Sequence, residues 1–191
     1  MSKPIILVSG LPRSGTSMIM QMLEAGGIEI ISDGERRADV DNPKGYYEFE
    51  AVKKTKENSS WLDRAPGKGV KLISQLLYDL PEGTTAKVLF VRREMGEILA
   101  SQQKMLERRG GSGAAIDDAE MARVFAGHVH DVLAWVAQRE GLELLEVSHA
   151  DVIGEPGKVA AEIQRFLQRE LDVSAMAAVV DGGLHRNRAA G

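Results

Sequence analysis

The chain has 191 residues, 43% of them hydrophobic, with a formal net charge of −4 and no cysteine. That length gives one core and little more, which predicts a single domain spanning 1–191. The missing cysteines exclude disulfides, thiol catalysis and zinc–thiolate sites, and the acidic balance argues against nucleic acid as the main partner.

The first element is a strand, expected near 4–9, carried by Ile5, Ile6, Leu7 and Val8. It meets a glycine turn running from Gly10 through Leu11, Pro12, Arg13, Ser14, Gly15 and Thr16 to Ser17. A helix follows over 16–25, with Met18, Ile19, Met22 and Leu23 at helical spacing. Strand, glycine loop and helix together form an anion cradle: loop N–H groups and the positive end of the helix dipole point at one spot. The spacing Gly10-x4-Gly15 is that of a Walker A loop. Thr16 stands where that motif needs a lysine for the β- and γ-phosphates, and Arg13 supplies a cation inside the loop instead. The loop is thus expected to bind phosphate or sulfate without NTPase chemistry.

A short strand near 28–31 leads into a polar stretch, Ser32 to Gly45, holding the turn cluster Asp41-Asn42-Pro43-Lys44-Gly45. Helices are expected over 48–58 and 73–79, flanking a strand at 69–72 that ends beside Lys71. The next strand, 87–92, closes on two cations, Arg92 and Arg93, and a helix over 94–108 carries Met95, Ile98, Leu99, Gln102 and Met105 roughly on one face. Ser101 lies eight residues after Arg93. In a strand-to-helix unit that places Arg93 at the carboxyl end of the strand and Ser101 about two turns into the helix, where both can reach one phosphate. Gly110-Gly111-Ser112-Gly113 separates this helix from a long one over 117–139, begun by Asp117 and Asp118. A strand at 143–147, a helix at 156–170 and a short helix at 174–179 complete the chain. The alternation predicts an α/β fold: a P-loop-type parallel sheet of about five strands with helices on both faces. The two glycine-rich or polar connections, 32–45 and 110–113, are expected to border an acceptor site, since loops at strand carboxyl ends carry function in such sheets.

The string Leu11-Pro12-Arg13-Ser14-Gly15-Thr16-Ser17 resembles the 5′-phosphosulfate loop of sulfotransferases, and the Arg93/Ser101 pair is similar to their 3′-phosphate site. Asn42 to Glu48, Val147 to Val152, and Pro156 with Phe166-Leu167 resemble segments of the small bacterial members. The resemblance implies a transferase that moves a sulfonate from 3′-phosphoadenosine 5′-phosphosulfate (PAPS) to a hydroxyl, or less readily an amine, of a small molecule, with no metal required. It implies donor contacts from Gly10, Pro12, Arg13, Ser14, Gly15, Thr16, Ser17, Arg93 and Ser101. The tail Leu184-His185-Arg186-Asn187-Arg188 resembles a terminal basic segment that closes on the nucleotide, which adds Arg186 and Arg188.

Relatives place a second cation, followed by a histidine, at the end of the third strand. Here Lys71 stands without a nearby histidine; some other relatives use a glutamate as the base, and the resemblance then points to Glu48 first and Glu50 second. Arg13, Glu48 and Lys71 are the candidate catalytic residues. His128 and His130, two apart on a helix, cannot face one site. A nucleotide or small-molecule kinase and a non-catalytic nucleotide-binding protein of the same fold are the alternatives. The start, Met1-Ser2-Lys3-Pro4, shows no signal-peptide architecture, and no apolar run is long enough to span a bilayer. A cytoplasmic enzyme without a membrane partner is therefore expected. The oligomeric state and the acceptor are not legible in the sequence.

Overall fold

In the computed structural model, residues 3–34, 46–108 and 117–180 are described. Five strands appear: β1 (Ile5–Gly10), β2 (Ile30–Ile31), β3 (Gly69–Lys71), β4 (Ala86–Arg92) and β5 (Leu142–Ser148). Six helices accompany them: α1 (Thr16–Ala25), α2 (Met95–Arg108), α3 (Asp118–Gln138), α4 (His149–Gly154), α5 (Pro156–Leu167) and α6 (Val173–Ala178). All strand pairs are parallel, in the order β2-β3-β1-β4-β5. The connection out of β1 goes to one side of the sheet and β4 opens the other. The crevice of such a doubly wound sheet lies at the carboxyl ends of its central strands, where β1 and β4 deliver Gly10 and Arg92.

Alternation along β1 divides the core into two layers. Ile5 and Leu7 point into a layer with Trp61, Val70, Leu77, Phe90, Ile98 of α2, and Val129, Val132 and Val136 of α3. Ile6 and Val8 point into the opposite layer with Ile19, Met22 and Leu23 of α1, Ile163 of α5 and Met176 of α6. Every residue of β1 is buried, which is why Ile5 to Val8 reads as an unbroken apolar run rather than an alternating one. Each such side chain stabilises the fold by about 1.5–3 kcal/mol relative to exposure. Lys87, whose side chain is 5% exposed, survives in β4 because its ammonium donates to the Phe166 carbonyl at 2.6 Å and lies 3.3 Å from Glu143. A cation there also meets the negative end of α5.

Several expected elements take a different form. The segments expected as helices over 48–58 and 73–79 fold as tighter 3₁₀ turns, Glu50–Lys54 and Ser74–Asp79, with another at Ser60–Arg64. Trp61 ties together two of these irregular pieces, Glu50–Lys54 and its own turn Ser60–Arg64. Its indole Nε1 donates to Thr55 Oγ1 at 3.0 Å, that hydroxyl donates to the Val52 carbonyl at 2.6 Å, and Phe49 packs edge-on at 6.3 Å. Burying one large ring draws the chain around it and breaks the helical repeat. Helix α5 stops at Leu167 rather than 170, because Gln168 adopts a left-handed conformation with φ 54°. Helix α4 is not in the sequence reading. Ser148 caps it, accepting from the Asp151 N–H at 3.3 Å, a pattern of serine followed by an acid three residues on.

Candidate functional site

β1 ends at Gly10, where φ is +153°. A Cβ there would lie 2.6 Å from Ser14 Oγ and 2.8 Å from the Val91 carbonyl of β4, so only glycine lets the loop fold back onto the neighbouring strand. Leu11, 2% exposed, anchors the loop in the core. The Ser14 N–H closes a turn onto the Leu11 carbonyl at 3.1 Å. Gly15, with φ +104°, begins α1 and makes no side-chain cap. The first N–H groups of α1 therefore open toward the mouth of the loop together with the positive end of the helix. Ser14 Oγ is buried and has no hydrogen-bond partner among the described residues. A buried hydroxyl in that state calls for an explanation.

Arg92, the last residue of β4, and Arg93, the next, part company. Arg92 turns outward to Glu146 at 2.5 Å, with both side chains 48% exposed. Arg93 turns inward and is 9% exposed. Its Nε donates to Glu97 at 2.8 Å and its Nη1 to the Arg13 carbonyl at 3.1 Å. Arg13 answers from its own side chain: its Nε donates to Ser101 Oγ at 2.9 Å. Gln102 Nε2 reaches the Pro12 carbonyl at 3.3 Å. The expected pair, Arg93 and Ser101, is thus brought together around Arg13 of the glycine loop. Arg13 itself is held at φ 73°, a left-handed conformation uncommon outside glycine.

On the other side of β1, Lys71 leaves the carboxyl end of β3. Its ammonium donates to the Tyr46 carbonyl and lies 3.5 Å from Ser17 Oγ. Ser17 Oγ also donates to the Tyr46 carbonyl at 3.4 Å. Lys71, Ser17 and Tyr46 therefore form one cluster at the start of α1, and Tyr46 is buried at its centre. Tyr47 hydroxyl donates to Glu24 at 2.6 Å, and burial, reinforced by that carboxylate, pushes its phenol pKa up. Glu48 follows, half-buried, with its backbone carbonyl accepting from the Asp33 N–H at 3.1 Å beyond the end of β2. Glu50, the second candidate base, is exposed on the surface and paired with Lys53.

Several participants were not singled out in the sequence. His149, 6% exposed at the start of α4, lies beneath the loop: a Cβ on Gly15 would sit 2.6 Å from its Cδ2. The Ser148–Asp151 capping pattern was the signal that would have put a helix, and His149, there. Glu97 was legible only as one of many charges on α2, and Tyr46 acts through a carbonyl, which no side-chain motif reveals. His128 meets Ser74 Oγ at 2.8 Å, away from His130 on the same helix. Arg186 and Arg188, the turn Asn42 to Gly45 and the run Gly110 to Gly113 lie outside the described residues. Among the described residues no group of three or more His, Asp or Glu side chains is placed to hold a metal ion, and no helix is long and apolar enough to cross a membrane.

Comparison with known proteins bears on this arrangement. Several solved structures share the fold. A sulfotransferase of Mycobacterium tuberculosis superposes with a TM-score of 0.61 at 18% identity, covering 96% of this chain and 74% of that one. The sulfotransferase domain of the curacin biosynthetic pathway gives 0.55 at 14% identity, covering 96% and 89%. A mouse sulfotransferase solved in complex with PAP gives 0.51 at 18% identity, covering 93% and 62%. No protein of curated function matches the chain by sequence. The model of the sulfotransferase domain matches residues 3–182, and the chain belongs to the sulfotransferase family.

Proposed function

We propose that the protein transfers a sulfonate from PAPS to a hydroxyl, or less readily an amine, of a small molecule. The observation that carries this reading is the bonded pair of cations: Arg93 at the end of β4 holds the carbonyl of Arg13 in the glycine loop, and Arg13 holds Ser101. A nucleotide phosphorylated at both ends of its ribose needs two adjoining anion sites. A nucleoside triphosphate needs one site with a lysine, and Thr16 stands in that place. The PAP complex of the mouse relative supports the same donor class.

The residues present fit such a donor on two counts. Helix α1 begins without a side-chain cap, and Ser14 Oγ is buried without a protein partner among the described residues. PAPS, when bound, supplies an activated sulfonate on a phosphate leaving group. The loop N–H groups and the hydroxyls of Ser14, Thr16 and Ser17 orient the 5′ end. Arg13 offers a planar donor fork to charge that grows at the mouth of the loop. Lys71, steadied by Ser17 and the Tyr46 carbonyl, brings a second cation to the same helix start. Arg93 and Ser101 receive the 3′ end. Glu48, two residues beyond Tyr46, takes the acceptor proton on its carboxylate.

Calorimetry with PAP, AMP and ATP, with and without magnesium, tests the reading. PAP is expected to bind about a hundredfold tighter than AMP, since a buried charge-assisted contact is worth about 2–4 kcal/mol. Tight magnesium-dependent ATP binding with no response to PAP sinks it. PAP binding with no turnover of any acceptor points instead to a non-catalytic nucleotide-binding protein.

A further inference from the structure

Helix α2 does more than carry Ser101. The helix and the residues leading into it touch the glycine loop at three points: Arg93, two residues before the helix, at the Arg13 carbonyl, Ser101 at the Arg13 side chain, and Gln102 at the Pro12 carbonyl. The carbonyl and N–H of a trans peptide point opposite ways. Holding the Pro12 and Arg13 carbonyls on the α2 side therefore fixes the orientation of both peptide units, and with them the left-handed φ of 73° at Arg13. A non-glycine residue keeps such a conformation only where its surroundings over-determine it. Of the two contacts made to loop carbonyls, the one from Arg93 is part-buried and the one from Gln102 is exposed. Arg93 is in turn held by Glu97, one helical turn on, at 2.8 Å, and the two side chains are 9% and 11% exposed. A pair this far from water is costly to break, because the remaining charge stays buried without compensation.

We propose that Glu97 is a positioning residue of the donor site. By holding the Nε edge of Arg93 it aims Nη1 at the Arg13 carbonyl, so one guanidinium locks the loop turn from behind and turns its other N–H groups toward the 3′ end of the donor. Glu97 therefore acts on both anion sites without touching either anion. The proposal rests on the donor reading above for its second half only. The first half, control of the loop, concerns any 5′-phosphate.

The experiment titrates AMP and PAP into the full chain carrying Glu97→Gln or Glu97→Asp, alongside wild type, and records melting temperatures. AMP needs the loop alone. Glu97→Gln is expected to weaken AMP about fivefold, the scale of one misplaced hydrogen bond, and PAP about twentyfold or more, because both sites are affected. Glu97→Asp keeps the charge with a shorter reach and is expected to fall between, which also covers the case in which the Gln variant does not fold. Tighter PAP binding with unchanged AMP overturns the proposal, since Glu97 would then merely oppose the phosphate charge. A lowered melting temperature with both affinities unchanged overturns it too, leaving a structural ion pair. Wild-type protein that binds AMP but not PAP sinks the donor reading, and the AMP titrations of the variants then decide the role of Glu97. Wild-type protein that binds neither overturns both.

Discussion

Gly15 is the position where the loop, the helix and the late part of the chain meet, and Gly15→Ala tests that meeting quantitatively. Two costs arise. The backbone sits at φ +104°, and forcing an L residue into the left-handed region costs about 1–2 kcal/mol. The new methyl would also lie 2.6 Å from His149 Cδ2, and His149, 6% exposed, cannot swing into solvent. Overpacking of that kind costs about 1–3 kcal/mol. The single variant should therefore lose about 2–5 kcal/mol. In the His149→Ala background the second cost disappears and the first remains. The double variant should then be about 1–3 kcal/mol more stable than the sum of the singles predicts, a coupling that a thermodynamic cycle isolates. Urea unfolding of the four proteins, with unchanged m-values as the check on two-state behaviour, measures it. A Gly15→Ala protein as stable as wild type refutes the reasoning. So does a loss that is the same with and without His149, because it would mean that the ring does not fill the space beneath the loop.

The remaining predictions concern ligands, turnover and pH. Arg93→Ala should weaken PAP by about 2–4 kcal/mol and AMP by about 0.5–1.5 kcal/mol, the latter for the lost bond to the loop carbonyl; equal losses for both ligands in calorimetry show that Arg93 does not read the 3′ end. Arg13→Ala should lower turnover more than donor affinity, since its charge is aimed at the transition state, while Glu48→Gln should leave donor affinity intact and cut turnover by about 10²-fold. A labelled-donor assay over phenols, alcohols and amino sugars supplies the acceptor, and normal turnover of Glu48→Gln at every pH removes the glutamate from the mechanism. Tyr47 has its pKa raised above the ordinary 10.0, mainly by burial and then by Glu24. The folded chain therefore holds this proton where the unfolded chain releases it, so stability present below pH 10 is lost as pH rises further. Tyr47→Phe should flatten that alkaline limb in pH-dependent unfolding, and an unchanged limb contradicts the assignment.

Local chemistry was enough to read the elements that make the site. The run Ile5 to Val8, the glycines at 10 and 15 and the apolar steps of α1 each carry their own instruction, because burial on both faces, left-handed turns and helical spacing are written in neighbouring residues. The same holds for β4 and α2, where Arg93 and Ser101 sit at a spacing that only a strand-to-helix unit brings together. The four candidates Arg13, Lys71, Arg93 and Ser101 were therefore nameable before any coordinates, as was the parallel sheet. What the sequence could not decide is how these groups hold one another. That Arg92 faces water and Arg93 faces the loop depends on which side of β4 the core lies. That His149 lies beneath Gly15 depends on β5 pairing with β4, a contact between residues more than 130 positions apart from the loop to the ring. Trp61 turned an expected helix into 3₁₀ turns because its ring and indole N–H needed Thr55 and Val52 around them. Lys71 found a backbone carbonyl, Tyr46, which has no signature in side-chain chemistry. Spacing along the chain determines which residues reach one end of the sheet; only the packing of distant segments determines their partners there, because those partners are chosen by shape and burial rather than by sequence distance.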